Sequence, residues 1–389
     1  MLSSEGSGAE MTSIRRSAAK VAAVVTATAG LLAASGILAG AASASDTFIG
    51  NLKTVTPIAS TIPANGDVNP YGVAVVPRST GRLDAGNVLV SNFNNKANVQ
   101  GTGTTIVQVT PDGKQTLFAK IGPLSNSACP GGVGLTTALV ALRGGWVIVG
   151  SLPTQGGKLS GFGCLIVLDQ WGNVRETFTG HGIQGPWDMT ALDLGRISEL
   201  FVTNVLGGIL GPHNPNGGTV VRLIITSRSS RLPHILKSTQ IGSGFPARTD
   251  PAALVVGPTG VGLGSNGTLY VADTDTSRIA AIRHAVSRFS DDGSGRTVTL
   301  KRALKNPLGL AIAPDGDILT VNGGDGNMVE TTPGGSQVAV VTVDKQGSPA
   351  GAGNLFGLAV KPGADAVYFV DDFGGPSANG QTNNLNLLH

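Results

Sequence analysis

The residues best suited to chemistry stand at two recurring places in the chain. One set follows a repeated Asn-Pro or Gly-Pro start, or its equivalent, and comprises Tyr71, Trp187, Leu308 and Phe356. The other ends a later apolar run and comprises Asn92, Asn204, Asp273, Asn322 and Asp371. Asp188 is the only acidic residue beside the first set. Aromatic and apolar groups next to amides and carboxylates suit a small polar ligand or a peptide side chain.

Two interpretations of these sets remain open. In the first, they line the mouth of a channel, where Trp187 and Asp188 contact a ligand or a bound cation. In the second, the aromatic residues fill the channel, and the Asn and Asp side chains satisfy the amides of loops. Asp188 favours the first interpretation, because an acidic group at a blade start is hard to explain by packing alone.

A second candidate site is the segment Asp273-x-Asp275-x-Ser277, which resembles the start of a calcium loop. It is not an EF-hand, because Arg278 and His284 stand where that loop requires Gly and Glu. We therefore consider a divalent cation such as calcium at Asp273 and Asp275, against a turn whose carboxylates cap backbone amides. No other cofactor is indicated, since the five histidines form no close pair that could hold zinc.

The elements that would position these residues recur along the chain. The block has a start like Asn/Gly-Pro-x-Gly, an apolar strand, a turn with Gly or Asp and a second strand that ends in Asn or Asp, and the copy near residue 132 is degenerate. The six copies start near residues 69, 132, 185, 257, 306 and 354. Repeats of this length with Asp-Gly and Gly-Asn hairpin turns predict an all-β, six-bladed β-propeller with four antiparallel strands in each blade.

The two ends of the chain fit a closed ring. The last copy ends after a third strand at residues 384–388, and its missing fourth strand matches the apolar segment 53–59 near the other end of the chain. Pairing of these two segments would close the ring and remove its open edges. The sequence therefore predicts that an N-terminal strand joins the last blade.

Two of the copies carry a family resemblance. Residues 270–279 (Tyr-Val-Ala-Asp-Thr-Asp-Thr-Ser-Arg-Ile) resemble the NHL-repeat signature. Residues 307–316 (Pro-Leu-Gly-Leu-Ala-Ile-Ala-Pro-Asp-Gly) are similar to the blade start of NHL, gluconolactonase-like and streptogramin-lyase-like propellers. The resemblance implies a six-bladed propeller and leaves the function open, because these families include lactonases, lyases, sensors and scaffolds.

The resemblance also sets expectations for catalysis. Streptogramin-lyase-like enzymes would have histidines near the blade starts, and gluconolactonase-like enzymes hold one divalent metal with Glu, Asn and Asp. In this chain the blade starts carry neither His nor Glu, and Asp188 is their only acidic residue. This departure argues against both activities.

The first 44 residues predict an export signal. Arg15, Arg16 and Lys20 precede an apolar, Ala-rich stretch that ends in the small-residue pattern Ala42-Ser43-Ala44. Residues 1–44 are therefore expected to be a signal peptide and residues 45–389 the propeller, in the periplasm or outside the cell. Sec and Tat export both fit.

The two cysteines are consistent with export. In the oxidising environment outside the cytoplasm, Cys129 and Cys164 are expected to form a disulfide, with two separate buried thiols as the alternative.

The charge composition of the chain bears on which partners it could bind. The formal net charge is +3, of which residues 1–44 contribute +1, and no Lys/Arg cluster with interleaved aromatic residues occurs, so nucleic-acid binding is not expected. We expect a monomer with no membrane span after signal cleavage. The function expected from the sequence is a secreted binding or interaction protein with a ligand site at the channel mouth. The alternative is a metal-dependent lactonase, hydrolase or lyase that acts in the channel.

Overall fold

The computed structural model describes the greater part of the chain after the first 46 residues. The described residues are 47–125, 127–152, 154–155, 158–159, 161–205, 213–251, 253–347, 353–372 and 383–389. The expected signal peptide, residues 1–44, lies outside them. Asp46–His389 form one compact unit. Within the described residues, no helix has the length and apolar character needed to cross a membrane.

The first two blades follow a single-turn 3-10 helix (Ile49–Asn51) and the strand β1 (Val55–Ser60), which belongs to the last blade. Blade 1 consists of β2 (Val68–Val75), β3 (Val88–Asn94), β4 (Thr105–Val109) and β5 (Gln115–Lys120). Blade 2 consists of β6 (Leu135–Ala141), β7 (Val147–Ser151), β10 (Cys164–Leu168) and β11 (Val174–Phe178). A small hairpin between its second and third strands is formed by β8 (Thr154–Gln155) and β9 (Lys158–Leu159).

Blade 3 differs from the others by a fifth strand. It consists of β12 (Pro186–Asp193), β13 (Ile197–Asn204), the long strands β14 (His213–Thr226) and β15 (Ile235–Asp250), and the short β16 (Leu254–Val256). Blade 4 consists of β17 (Pro258–Leu263), β18 (Leu269–Asp273), β19 (Arg278–Ile282) and β20 (Arg296–Leu300). Residues 262–267, which match G-x-G-x-x-G, span the end of β17 and the following turn, where Gly267 has a φ of 75° that favours glycine.

Blades 5 and 6 complete the ring. Blade 5 consists of β21 (Pro307–Ile312), β22 (Ile318–Asn322), β23 (Asn327–Thr331) and β24 (Gln337–Thr342). Blade 6 consists of β25 (Leu355–Val360), β26 (Val367–Asp371), β27 (Asn384–Leu388) and β1, which pairs antiparallel with β27 so that Val55 lies opposite Leu388. The six inner strands β2, β6, β12, β17, β21 and β25 contact one another in sequence, and β25 contacts β2. The chain is thus an all-β propeller of six blades, whose inner strands begin within three residues of the starts expected from the sequence.

Each inner strand is bulged near its start, and this controls the width of the channel. The ladder with the second strand shifts register between Pro70 and Val73 in blade 1 and at the matching place in every other blade. Three of the bulges contain a glycine whose neighbour is the backbone of the next blade. A Cβ on Gly357, for example, would lie 2.1 Å from the carbonyl oxygen of Tyr71. No side chain fits there, so the inner strands touch through their backbones.

The predicted disulfide is confirmed and lies in blade 2. Cys129 and Cys164 are joined, and their Cα atoms are 5.3 Å apart. Both cysteines are fully buried in a core cluster shared with residues of blade 1. The bond therefore ties the loop before β6 to the third strand of its own blade, at the junction with blade 1.

Candidate functional site in the central channel

The residues that follow the blade starts meet at one end of the channel and fill it. Tyr71, Trp187, Leu308 and Phe356 belong to one core cluster, and all are buried; we call these four residues the plug. The rings of Tyr71 and Phe356 stack with centroids 4.0 Å apart. The Tyr71 and Trp187 rings are 6.0 Å apart. The predicted convergence of these residues therefore occurs, and its result is a packed core.

A segment of blade 3 covers the plug. Trp187 Nε1 donates a hydrogen bond to the carbonyl oxygen of Val255, at 3.0 Å, and Ala253 and Val256 pack in the same cluster. These residues belong to β16 or directly precede it. Because the indole nitrogen is paired with this backbone, Trp187 does not offer it to a ligand. The plug therefore fills this end of the channel and leaves beside it a pocket of about 70 Å³, lined in part by Leu308 and Phe356, so ligand binding at this mouth stays a prediction.

The residues that end the second strands serve the loops around the plug. Asn92 Nδ2 donates to the carbonyl oxygen of Thr61, and Asn204 Oδ1 accepts from the backbone N–H of Gln184. Asn322 is held in the same way by the backbone of residues 303 and 305 and by Asp325, while Asp371 is buried at the end of β26. The Asn side chains that end the second strands thus bond to the backbone of neighbouring loops. This agrees with the second of the two interpretations that the sequence left open.

The proposed calcium loop carries two ion pairs. Arg278 Nη2 lies 2.9 Å from Asp273 Oδ2, and Arg248 Nε lies 2.8 Å from Asp275 Oδ1. Arg248 also pairs with Asp250 at 2.7 Å. The positive charge that these carboxylates need comes from arginine, so their arrangement argues against calcium at Asp273 and Asp275.

Beyond the plug, the channel widens into a cavity of about 320 Å³. Its walls come from five inner strands, and residues Leu139, Met189, Val261, Leu310 and Leu358 make them largely apolar. Inner-strand residues near this end, such as Thr190, Ile312 and Val360, are only half-buried, whereas the plug is fully buried. The cavity is therefore reached from the end of the channel where the inner strands finish, which we call the open end.

Backbone groups add polarity to these apolar walls. Each inner strand pairs with a second strand on one side only, because it is the end strand of its sheet. An end strand leaves a row of N–H and C=O groups without strand partners. In the ring those edges face the channel, so a bound molecule meets apolar side chains together with backbone donors and acceptors.

Among the described residues, Asp188 is the only ionisable one in the cavity wall. It occupies the bulge of β12, where four other blades have glycine. Its Oδ1 accepts a hydrogen bond from Met189 N at 2.8 Å, and its Oδ2 accepts one from Val261 N of the next blade at 3.0 Å. Burial raises the pKa of Asp188 to about 8, although the two backbone donors oppose this shift. The group is therefore a neutral carboxylic acid at pH 7.

The sequence did not single out the rest of this wall. Thr137 and Thr190 are its side-chain hydroxyls, and the buried Thr137 hydroxyl has no hydrogen-bond partner among the described residues. Thr137 lies in the blade whose repeat is the most degenerate, so no blade-start pattern marks it. The sequence did offer one signal that Asp188 lies apart from the plug. Asp188 directly follows Trp187, and neighbouring residues of a strand point to opposite sides.

Comparisons place the fold among known propellers. The chain matches no family model, and no curated protein matches it by sequence. In solved structures, it is similar to the calcium-binding protein regucalcin from Agrobacterium tumefaciens, with 12% identity, coverage of 85% of this chain and 92% of that one, and a TM-score of 0.53. It is also similar to a gluconolactonase from Xanthomonas campestris, with 12% identity, coverage of 86% of this chain and 95% of that one, and a TM-score of 0.52. A streptogramin B lyase has 11% identity, coverage of 86% of this chain and 97% of that one, and a TM-score of 0.50.

This chain has their six-bladed propeller fold. The resemblance noted in the sequence is thereby supported at the level of the fold. Identities of 11–12% establish nothing about the reaction, so the site has to be judged from its own residues.

The residues present in the propeller's channel do not fit a divalent metal. Calcium takes six to eight oxygen ligands, several of them carboxylates. The plug supplies aromatic rings and a leucine, and Asp188 alone supplies a carboxyl group, both of whose oxygens accept backbone hydrogen bonds. Among the described residues, the only cluster with metal-ligand spacing is Asp315, Asp317 and Glu330, in blade 5 and outside the cavity wall.

Proposed function

We propose that this protein is an extracytoplasmic hydrolase or lyase that binds a small, uncharged molecule in the open end of its channel and uses Asp188 as a general acid. The observation that carries the proposal is a buried carboxyl group, with its pKa raised by burial, in an apolar cavity of about 320 Å³. A carboxyl pKa raised by burial in a cleft is a feature of catalytic acids. The gluconolactonase and the streptogramin B lyase with the same fold support a reaction of this kind.

The chemistry follows from the state of Asp188. When water opens an ester or lactone, its hydroxyl adds to the acyl carbon and the acyl C–O bond breaks. The leaving alkoxide takes the proton of Asp188, and the carboxylate recovers a proton from the attacking water, so the acid is regenerated. The apolar wall strengthens hydrogen bonds to the reacting oxygen, and the free strand edges of the channel can hold the carbonyl group. No step requires a metal.

The size and charge of the cavity define the substrate class. A volume of about 320 Å³ is at the small end of ligand sites, and Lys, Arg and His are absent from its wall. An anionic substrate would find no counter-charge there. We therefore infer a compact neutral ester or lactone.

The test uses δ-valerolactone and p-nitrophenyl acetate as substrates. Wild-type protein should turn over at least one of them, with a rate that falls above pH 8 and does not respond to EDTA. Asp188→Asn should lose at least about a hundredfold in kcat, the contribution expected of a general acid. Asp365→Asn, the same change at an exposed position, is the control. Equal rates for Asp188→Asn and wild type would refute the catalytic role.

A non-catalytic binding role for the same cavity is the second candidate. It is favoured by the absence of a second ionisable group in the wall, which leaves catalysis to one residue. In this case the same compounds would raise the melting temperature without being converted, and Asp188→Asn would reduce that shift.

A further inference from the structure

An exposed tryptophan stands at the tip of the turn between β10 and β11. Trp171 is 50% exposed, whereas the other two tryptophans, Trp146 and Trp187, are 6% and 1% exposed. The corresponding turns of blades 1 and 5 have Asp112 and Gly334 before the turn glycine. A turn needs no aromatic ring, and a ring left in water forgoes the gain from burial, so Trp171 is free to contact a ligand.

The turn holds this ring in a fixed position. Asp169 Oδ1 accepts hydrogen bonds from the backbone N–H groups of Trp171 and Asn173, both at 3.0 Å. Arg82 of blade 1 supports the turn from the side, because its backbone N–H donates to the Gln170 carbonyl oxygen at 2.9 Å and its guanidinium donates to that of Trp171 at 3.3 Å. Because the backbone of the turn is held in this way, a ligand that stacks on the ring need not order the loop that carries it.

A pocket of about 110 Å³ lies beside the ring. Its lining includes Trp146, Asp169, Gln170, Trp171, Arg175 and Ser229. Arg175 Nη1 lies 3.2 Å from Asp169 Oδ2, so the two charges of the pocket cancel. The pocket thus combines a flat apolar surface, an amide, a hydroxyl and an ion pair, with no net charge.

These properties select the ligand. We propose that the Trp171 pocket binds one sugar ring of a neutral glycan. A sugar ring has C–H groups on a flat face, which pack on an aromatic ring, and hydroxyls around its rim, which bond to the amide, the hydroxyl and the charged pair. A cationic peptide would require net negative charge, and a nucleic acid would require net positive charge. The pocket volume of about 110 Å³ admits part of one sugar ring. We therefore expect a longer glycan to be held through a single sugar unit.

The pocket is a different site from the channel cavity. It is formed by the turns after β6 and β10, and in an antiparallel blade the first and third strands end on the same face. The Trp171 pocket therefore lies on the face of the open end, and it shares no lining residue with the cavity. Its occupancy does not depend on the function proposed for Asp188.

Tryptophan fluorescence gives a direct test, because Trp171 is the only exposed tryptophan of the three. Acrylamide quenching is measured with and without methyl glucoside, methyl galactoside, N-acetylglucosamine and their soluble oligosaccharides. At least one of these should protect Trp171 from quenching. Calorimetry with that oligosaccharide should show about tenfold weaker binding for Trp171→Ala, the loss expected for one aromatic stacking partner, and a smaller loss for Trp171→Phe.

Controls separate binding from folding. Phe162→Ala removes a ring of matching exposure, 49%, that does not line the pocket, and should change neither the affinity nor the melting temperature. Trp171→Ala should melt with the wild type, since the ring contributes little to the core. Failure of every sugar to protect Trp171, unchanged affinity in Trp171→Ala, or protection by a cationic peptide alone would overturn the proposal.

Discussion

Replacement of Asp188 by asparagine should reverse the order of stability of variant and wild type between acidic and basic pH. Below about pH 4 the carboxyl group is protonated in both the folded and the unfolded chain, so it adds no pH dependence to the free energy of unfolding. Above that pH the unfolded chain ionises, but the folded protein keeps a neutral Asp188 until about pH 8. The unfolded state is therefore favoured increasingly over this interval, and wild-type stability falls as the pH rises through it.

The size of the effect follows from the two pKa values. A pKa raised from 3.8 to about 8 corresponds to a loss on the order of 5 kcal/mol across the whole interval, of which about 4 kcal/mol falls between pH 5 and pH 8. Asparagine does not titrate. Its single amide oxygen can accept from only one of the N–H groups of Met189 and Val261, so one buried donor loses its partner at a cost of about 1–3 kcal/mol at every pH.

The assay is urea unfolding of both proteins at pH 5, 6, 7 and 8. The variant should equal or fall below the wild type at pH 5 and exceed it by about 2 kcal/mol or more at pH 8. The other titrating groups change the free energy of unfolding of both proteins equally, so they cancel in the difference between variant and wild type. Asp365→Asn should run parallel to the wild type at every pH. A difference between Asp188→Asn and wild type that stays constant from pH 5 to pH 8 would show that Asp188 is ionised in the folded protein.

Three further perturbations test the ring. Deletion of residues 53–59 exposes the edge of β27 and should lower the melting temperature of the whole propeller in one transition, so a truncated protein that melts with the wild type would contradict closure. Replacement of Cys129 and Cys164 by serine opens a 35-residue loop and should cost roughly 3–4 kcal/mol in urea unfolding, whereas no loss would show the bond to be dispensable. Gly357→Ala places a Cβ 2.1 Å from the Tyr71 carbonyl oxygen and should cost about 1–3 kcal/mol, which an unchanged denaturation midpoint would refute.

The repeating features of the chain are visible in the sequence because they are local. A glycine or Asp-Gly at a hairpin turn meets a backbone requirement within a few residues, and the alternation of apolar strands and turns recurs in all six blades. The position of each blade is therefore predictable from the amino-acid sequence by itself. The pairing partner of residues 384–388 follows from the missing fourth strand of the last copy, and the disulfide follows from two cysteines in a chain with an export signal. The same local patterns placed Asp188 at a blade start and marked it as unusual.

Only the tertiary structure decided which end of the channel is closed. In four blades the residue at the bulge of the inner strand packs into the plug, and in blade 3 the next residue, Asp188, lies in the cavity wall. The cover over the plug comes from Val255 and its neighbours, which a long excursion of blade 3 brings back over Trp187. The neutral state of Asp188 depends on burial by five different strands, and the Trp171 pocket depends on turns far apart in the chain. Burial and close approach of distant segments are properties of the closed ring, and no single repeat contains them.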